Sequence, residues 1–241
     1  MIKRSPSLTD QVKENIKSRV INNEFEDDRI PSETDLAEEL GVSRTTVRDA
    51  FSRLEIEGVI YRKQGAGTFV NRPGLQIISR LDEIWSYEEM LQAHGYIPSI
   101  KILTVDTKPA GNKLAEALNI PVDDPILLID KLFLEDRQPV ILVRNFIPVN
   151  LISMKYKKND LKAPVFEFIT QFTNQHLSYY VSELAPILAD AKLIEILRLS
   201  SPTPLISLEE VGYNELNEPI LTASSYFRDD LLRLRLIRRK T

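Results

Sequence analysis

Cysteine is absent from this 241-residue chain. Its absence excludes disulfides, thiolate nucleophiles and cysteine-based zinc or iron–sulfur sites. Long apolar runs are missing too: none approaches the roughly 18 residues that a membrane-spanning helix needs, so no membrane partner is expected. The start, Met1-Ile2-Lys3-Arg4, leads into a polar helix pattern without the apolar stretch of a signal peptide, and a cytoplasmic location is expected. Only two histidines occur, His94 beside a helix stop and His176 in a polar loop. No Ser/His/Asp set or metal-ligand cluster appears at workable spacing, so catalytic residues, metal and cofactor are all expected to be none. Positive charge is not in excess either: the net charge is −4, and any contact with nucleic acid must be local. What remains is a globular composition, 43% hydrophobic and 27% charged, long enough for one large domain or two ordinary ones.

The charge is unevenly placed. Residues 24–39 carry eight acids against Arg29 alone, whereas residues 41–72 carry six basic residues (Arg44, Arg48, Arg53, Arg62, Lys63, Arg72) against three acids. Within the first seventy residues the apolar spacing gives three helices. Ser7 can cap the first, whose buried face is Leu8, Val12, Ile16 and Val20. Ser32 and Asp35 form a capping-box-like start to the second, which Gly41 stops. After Val42, Ser43 can cap the third, with Val47, Ala50, Phe51 and Leu54 on its inner face. Two helices joined through so short a turn make a helix-turn-helix. Two strand-like runs, Val59-Ile60-Tyr61 and Thr68-Phe69-Val70, flank a basic, glycine-containing connection and complete a winged helix-turn-helix. Arg44, Thr45, Thr46 and Arg48 crowd the first turn of the third helix, the part of a recognition helix that reaches base edges. Arginine can fork onto guanine and threonine can meet a phosphate or a thymine methyl. The competing reading makes Arg44 and Arg48 a solvated face with Asp49 and Glu55.

The stretch from Ile30 to Val70, "IPSETDLAEELGVSRTTVRDAFSRLEIEGVIYRKQGAGTFV", resembles the DNA-binding domain of GntR-family bacterial transcription regulators. The resemblance implies contacts to a double-stranded DNA operator from Arg44, Thr45, Thr46 and Arg48, from Gln64 and Gly65 on the wing, and from Ser32 near a phosphate. Thr34 stands where family members often carry arginine, so one contact there is in question.

Asn71-Arg72-Pro73-Gly74 is turn-forming, which divides the chain into a DNA-binding domain over 1–71, a linker over 72–77 and a second domain over 78–241. Ile78, Leu81, Ile84, Trp85 and Leu91 follow a helical spacing over 77–94, with Trp85 read as core or interface. An internal repeat follows. Lys113 and Lys192, Leu114 and Leu193, Leu118 and Leu197, Pro125 and Pro204 are each 79 apart, and Pro139 and Pro219 are 80 apart. Each copy reads as a helix, a strand, a polar turn and a returning strand; with further strands near 100–107 and 177–187 the expected fold is α+β, one antiparallel sheet with helices packed on it. A cleft between the halves is a natural small-molecule site.

This half resembles the UTRA effector-binding domain of the HutC-type branch of the GntR family, which has a chorismate-lyase-like fold. The resemblance implies a small-molecule effector, phosphorylated or carboxylated, contacted by Ser86 and Tyr226, with Arg228 close by. Lys131 and Phe133 stand where sugar-phosphate binders often carry Arg-x-Arg, and Val143, followed by Arg144, where they often carry glutamate. The expected effector is therefore anionic, held by some of Lys131, Arg144 and Arg228, but poorer in hydroxyls than a hexosamine phosphate; the alternative makes Arg144 and Arg228 structural. Ser178, Tyr179 and Tyr180 alternate on a strand, and Tyr180 is preferred as the cleft residue. The whole chain reads as a homodimeric, ligand-responsive repressor released from a palindromic operator by its effector. Two alternatives stay open: a constitutive dimeric DNA-binding protein, and a chorismate-lyase-like enzyme. The final "LLRLRLIRRK" reads as a strand with a basic face.

Overall fold

A computed structural model of the chain describes residues 7–75, 83–84, 86–228 and 234, which fall into two compact units on either side of residues 76–82. In the first unit Ser7 accepts the Asp10 N–H and opens α1 (Leu8–Ile21). Val12, Ile16 and Val20 are buried, while Leu8 in the first turn stays exposed. A two-residue strand, β1 (Arg29–Ile30), leads into α2 (Glu33–Leu40). The Ser32 hydroxyl accepts the Asp35 N–H while the Asp35 carboxylate accepts the Ser32 N–H, so two of the free donors at that helix start are satisfied reciprocally. Gly41 then turns the chain with φ +65°, a value that side chains resist. Ser43 accepts the Thr46 N–H and opens α3 (Arg44–Ile56), whose Val47, Ala50, Phe51 and Leu54 are fully buried against α1 and α2.

The wing is β2 (Ile60–Lys63) paired antiparallel with β3 (Gly67–Val70); β1 joins the far side of β3, Arg29 opposite Phe69. Residues 72–75, expected as linker, form a helical turn, α4 (Arg72–Leu75), that belongs to this unit. Leu75 packs on its core and the Arg72 guanidinium donates to Asp28 at 2.8 Å.

The second unit opens with α5 (Tyr87–Ala93). The helix expected from 77 is not continuous through Ser86, because Ser86 is its N-cap: its hydroxyl accepts the Glu89 N–H, and Glu89 returns the bond. Residues 76–82 and Trp85 lie outside the described residues, as do 229–233 and 235–241, which hold most of the expected last strand. Then follow β4 (Pro98–Pro109), α6 (Gly111–Leu118), β5 (Pro125–Glu135), β6 (Gln138–Pro148), α7 (Val165–Phe172), β7 (Tyr179–Leu188), α8 (Ala191–Leu197), β8 (Pro204–Tyr213) and β9 (Pro219–Phe227). All six strands form one antiparallel sheet in the order β4-β5-β6-β9-β8-β7. The order is a mirrored pair of three-strand repeats meeting at β6 and β9, as the duplicated helix-hairpin sequence requires.

Alternation along each strand sorts residues onto two faces. On one face α6 packs on Ile126 and Phe146, and α8 packs on Leu132, Leu142 and Leu205. On the other, α5 lies over Phe133, Val143 and Leu208, and α7 lies over Ile129, Leu221 and Ala223.

Candidate functional site

On the first unit, positions 44, 45 and 48 share a face of α3, while Val47, Ala50 and Leu54 anchor its other side in the core. Arg44, Thr45 and Arg48 are exposed; Thr46 is half-buried, its hydroxyl 2.8 Å from that of Ser43. The Arg48 Nε donates to Glu33 on α2 at 3.1 Å. Ser32 is exposed, and its hydroxyl donates to Asp35 at 2.8 Å. Gln64 and Gly65 form the exposed wing tip, where Gly65 has φ +74°. Arg62, in contrast, folds back onto α3: its guanidinium donates to the Ser52 hydroxyl at 3.0 Å and sits over the Phe51 ring.

On the second unit a cavity of about 500 Å³ lies on the sheet face under α5 and α7, within the size range of small-molecule sites. Its floor takes side chains from five adjacent strands: Lys131 and Phe133, Val143 and Asn145, Ala223 and Ser225, Leu208 and Glu210, Tyr180 and Ser182. Its rim is built by Ser86, Tyr87 and Glu88 at the start of α5, and by Lys162, Pro164, Val165 and Phe166 leading into α7. Gly212, paired with Tyr180, permits the close packing here: a Cβ on it would stand 3.0 Å from the Tyr180 ring and 2.8 Å from Leu177.

The polar groups of this floor are costly ones. Lys131 is 3% exposed, and burial pushes its ammonium down to about 8, partly countered by the Glu88 carboxylate. It donates to the Ala163 carbonyl at 2.5 Å. Burial pushes Glu210 up, while a hydrogen bond from Ser182 at 2.6 Å pulls the other way. Burial likewise raises Glu88, Tyr87 and Tyr180. Tyr87 and Ser225 share a hydrogen bond at 2.8 Å. Asn145 is 1% exposed and its Oδ1 has no hydrogen-bond partner. An unmet buried acceptor costs about 1–3 kcal/mol, so something outside the chain is the natural partner.

Of the six residues expected around an effector, the structure brings three to this cavity, Ser86, Lys131 and Tyr180. The other three are corrected. Arg144 and Tyr226 alternate with Val143 and Ser225 and therefore point to the opposite face. There Arg144 pairs with Asp130 at 3.4 Å and lies over the Tyr226 ring, under the α6 and α8 layer. Arg228 donates to the carbonyls of Pro139 and Leu197, the latter at the end of α8, so it ties the helix terminus to the sheet. Asn145 and Glu210 are among the cavity residues that the sequence reading does not single out. Asn145 follows from alternation once Val143 is placed in the cavity; Glu210 stands 79 residues after Lys131, the interval of the repeat itself.

The family pattern described as "UTRA domain" matches residues 93–233, and "Bacterial regulatory proteins, gntR family" matches residues 8–70. The HTH-type transcriptional repressor NagR of Bacillus subtilis (strain 168) is 27% identical over 221 residues, 91% of this chain and 90% of that protein. The histidine utilization repressor of Pseudomonas putida is 29% identical over 167 residues, 69% of this chain and 62% of that one. Among solved structures, the possible transcriptional regulator YydK from Bacillus subtilis aligns with a TM-score of 0.78 at 16% identity, covering 98% of this chain and 100% of its own, which is a likeness of fold. With a winged helix-turn-helix in one unit and a roofed sheet cavity in the other, the chain belongs to the gntR family of bacterial regulatory proteins, in its UTRA-bearing, HutC-type branch: it is a ligand-responsive DNA-binding transcription regulator.

Proposed function

We propose that this regulator acts as a repressor: a homodimer that occupies a palindromic operator through two winged helix-turn-helix units and leaves it when a small metabolite with an anionic group fills the second unit's cavity. The division of labour follows the boundary near residue 77, with the linker shortened by the α4 turn. The observation that carries the effector half is the cavity itself, whose buried Lys131 and unpartnered Asn145 are expensive to maintain unless a ligand uses them. That cost favours a sensor over a constitutive dimer.

For the DNA half, the exposed face of Arg44, Thr45 and Arg48, with the wing tip at Gln64 and Gly65 and with Ser32 and Thr46 beside it, supports base and phosphate contacts in a major groove. The relative NagR bears the word repressor in its name, which agrees with that direction of action. A second copy of the chain is supported by the open edge of the sheet. β7 exposes Tyr179, Val181, Leu184 and Leu188 on a strand whose outer edge has no partner among the described residues, the kind of edge that proteins normally cover. One helix-turn-helix reads one half-site, so a dimer doubles the contacts across a palindrome. Lys131 is the group available for an anion, in a cavity that Ser86 and Tyr180 also line.

The test is a thermal-shift screen of the purified protein against phosphosugars, sugar acids, acyl phosphates and small carboxylates, followed by release from its own upstream DNA. A ligand at about 100 times its dissociation constant stabilises by roughly 2.7 kcal/mol. A hit that also releases DNA establishes the sensor; silence across the panel moves the reading to the constitutive dimer. In parallel, Arg48→Ala should weaken specific operator binding by about 1–3 kcal/mol. An unchanged affinity and footprint would remove Arg48 from the reading set.

A further inference from the structure

The two sequence repeats place opposite charges at equivalent points of one cavity. Lys131 on β5 and Glu210 on β8 are 79 residues apart, the interval that relates Lys113 to Lys192 and Leu118 to Leu197. The strand register agrees: Lys131 faces Val143 on β6, and Glu210 faces Ala223 on β9, the counterpart of Val143 in the other repeat. Both side chains line the cavity. A cavity related by the repeat alone would carry like groups at its two ends; this one has a cation at one end and an acid at the other.

Asn145 adds direction. It lies opposite Ala223, which in turn lies opposite Glu210, so the three form one cross-strand row with the smallest side chain in the middle. The unpartnered Asn145 Oδ1 and the Glu210 carboxyl thus flank a gap that Ala223 leaves open, and the row continues to Ser182, which already donates to Glu210. Acceptors on both sides of a gap call for a donor between them. Three strand spacings, roughly 14 Å, separate the β5 and β8 backbones, and side chains reaching inward shorten that to the span of a small molecule.

We infer that the effector is amphoteric: an ammonium or comparable N–H donor seated between Asn145 and Glu210, and a carboxylate or phosphate toward Lys131. This rests on the effector reading proposed above and narrows it. A dicarboxylate, which has no donor when ionised, would leave the Asn145 acceptor unmet and bring negative charge toward Glu210.

The experiment uses the full-length protein and three matched probe series in calorimetry: ω-amino carboxylates from glycine to 6-aminohexanoate with the corresponding aminoalkyl phosphates, the same acids and phosphates without the amine, and the same amines without the acid. The best amphoteric member should bind at least about tenfold more tightly than either single-ended analogue, the loss expected when a hydrogen bond to a charged group is not made. Whether carboxylate or phosphate is the better end identifies the source of the anion. Glu210→Gln should reduce the amphoteric probe to the level of the amine-free acid while leaving that acid's affinity unchanged, and Asn145→Asp, which keeps an acceptor, should retain the preference for the amine. Equal binding with and without the amine overturns the inference, as does a preference that survives Glu210→Gln. Silence of every series also overturns it. An amine-free anion that binds tightly and releases DNA would overturn it while sustaining the regulator reading, so the two fail separately.

Discussion

Lys131 is the residue at which folding and the proposed effector site pull in opposite directions. The residue is 3% exposed, so the folded state disfavours the charged form and pushes the group down to about 8 from an ordinary 10.5. Because the folded value lies below the unfolded one, the unfolded chain binds more protons between the two, and stability from this group rises as pH climbs from about 8 toward 10.5. Below pH 8 the full cost of a buried charge is present. Lys131→Met should therefore stabilise the second unit at pH 7 by about 1–3 kcal/mol, discounted for the lost bond to Ala163. The same substitution should abolish binding of an anionic effector. Thermal denaturation at pH 7 and at pH 10 checks this: the gain should shrink at the higher pH, and a destabilised variant at pH 7 would show that the bond to Ala163 outweighs the burial cost. For the wild-type protein, affinity for an anion should fall as pH rises through about 8, where the ammonium loses its proton.

At the scale of elements, α1 packs on the recognition helix through the shared core and the Arg53–Asp10 pair, and one acid at that helix's end adds two further links. Lys13 and Lys17 donate to Glu57 at 2.8 and 2.9 Å, across 44 and 40 residues of sequence. Burial pushes the Glu57 carboxyl up, but these two ammonium groups outweigh it and hold it below its ordinary value. A depressed carboxylate contributes stability above its unfolded value near 4.5 and loses it as pH falls through the folded value. Glu57→Gln should cost the first unit about 1–2 kcal/mol at pH 7 and flatten its acid-side loss of stability; urea denaturation at pH 7 and pH 4 reads both. The elements themselves were mostly legible in the sequence. Ser7, Ser32, Ser43 and Gly41 are local signals and act within four residues, so caps and the helix-turn-helix could be read directly. The duplicated helix-hairpin gave the mirrored sheet. β1 was not legible, because two residues show no period, and Ser86 was read into a helix that it in fact caps. The assignment of sheet faces was the main loss. Alternation separates Val143 and Asn145 from Arg144, but only the packing of α5 and α7 on one face, and of α6 and α8 on the other, decides which set meets the cavity.

At the scale of the whole molecule, the two units have to exchange free energy if a ligand in one is to change DNA binding by the other. Coupling of that kind is reciprocal: a ligand that weakens operator binding by some factor must itself bind the DNA-bound protein more weakly by the same factor. For a dimer releasing a palindrome, the operator-bound state fixes two recognition helices at once, and a mismatch of either with its half-site forfeits contacts on that side. Effects in the range of about 1–3 kcal/mol are typical of such coupling, which corresponds to roughly 5–150-fold. The effector's affinity should thus fall by that factor when saturating operator DNA is added, and should be unaffected by DNA of unrelated sequence at an ionic strength where nonspecific binding is weak. Calorimetric titration with and without the operator measures it. Equal affinities would mean that the cavity, though occupied, does not control the DNA-binding unit, and the second domain would then serve assembly and not sensing. A fall that matches the independently measured loss of operator affinity would close the thermodynamic cycle. Repeating the titration with Glu57→Gln, a change in the first unit that loosens α1 from α3 while the cavity belongs to the second, would then show whether the coupling depends on a rigid recognition helix. A helix free to readjust should blunt it, and an unchanged factor would place the coupling in the orientation of whole units.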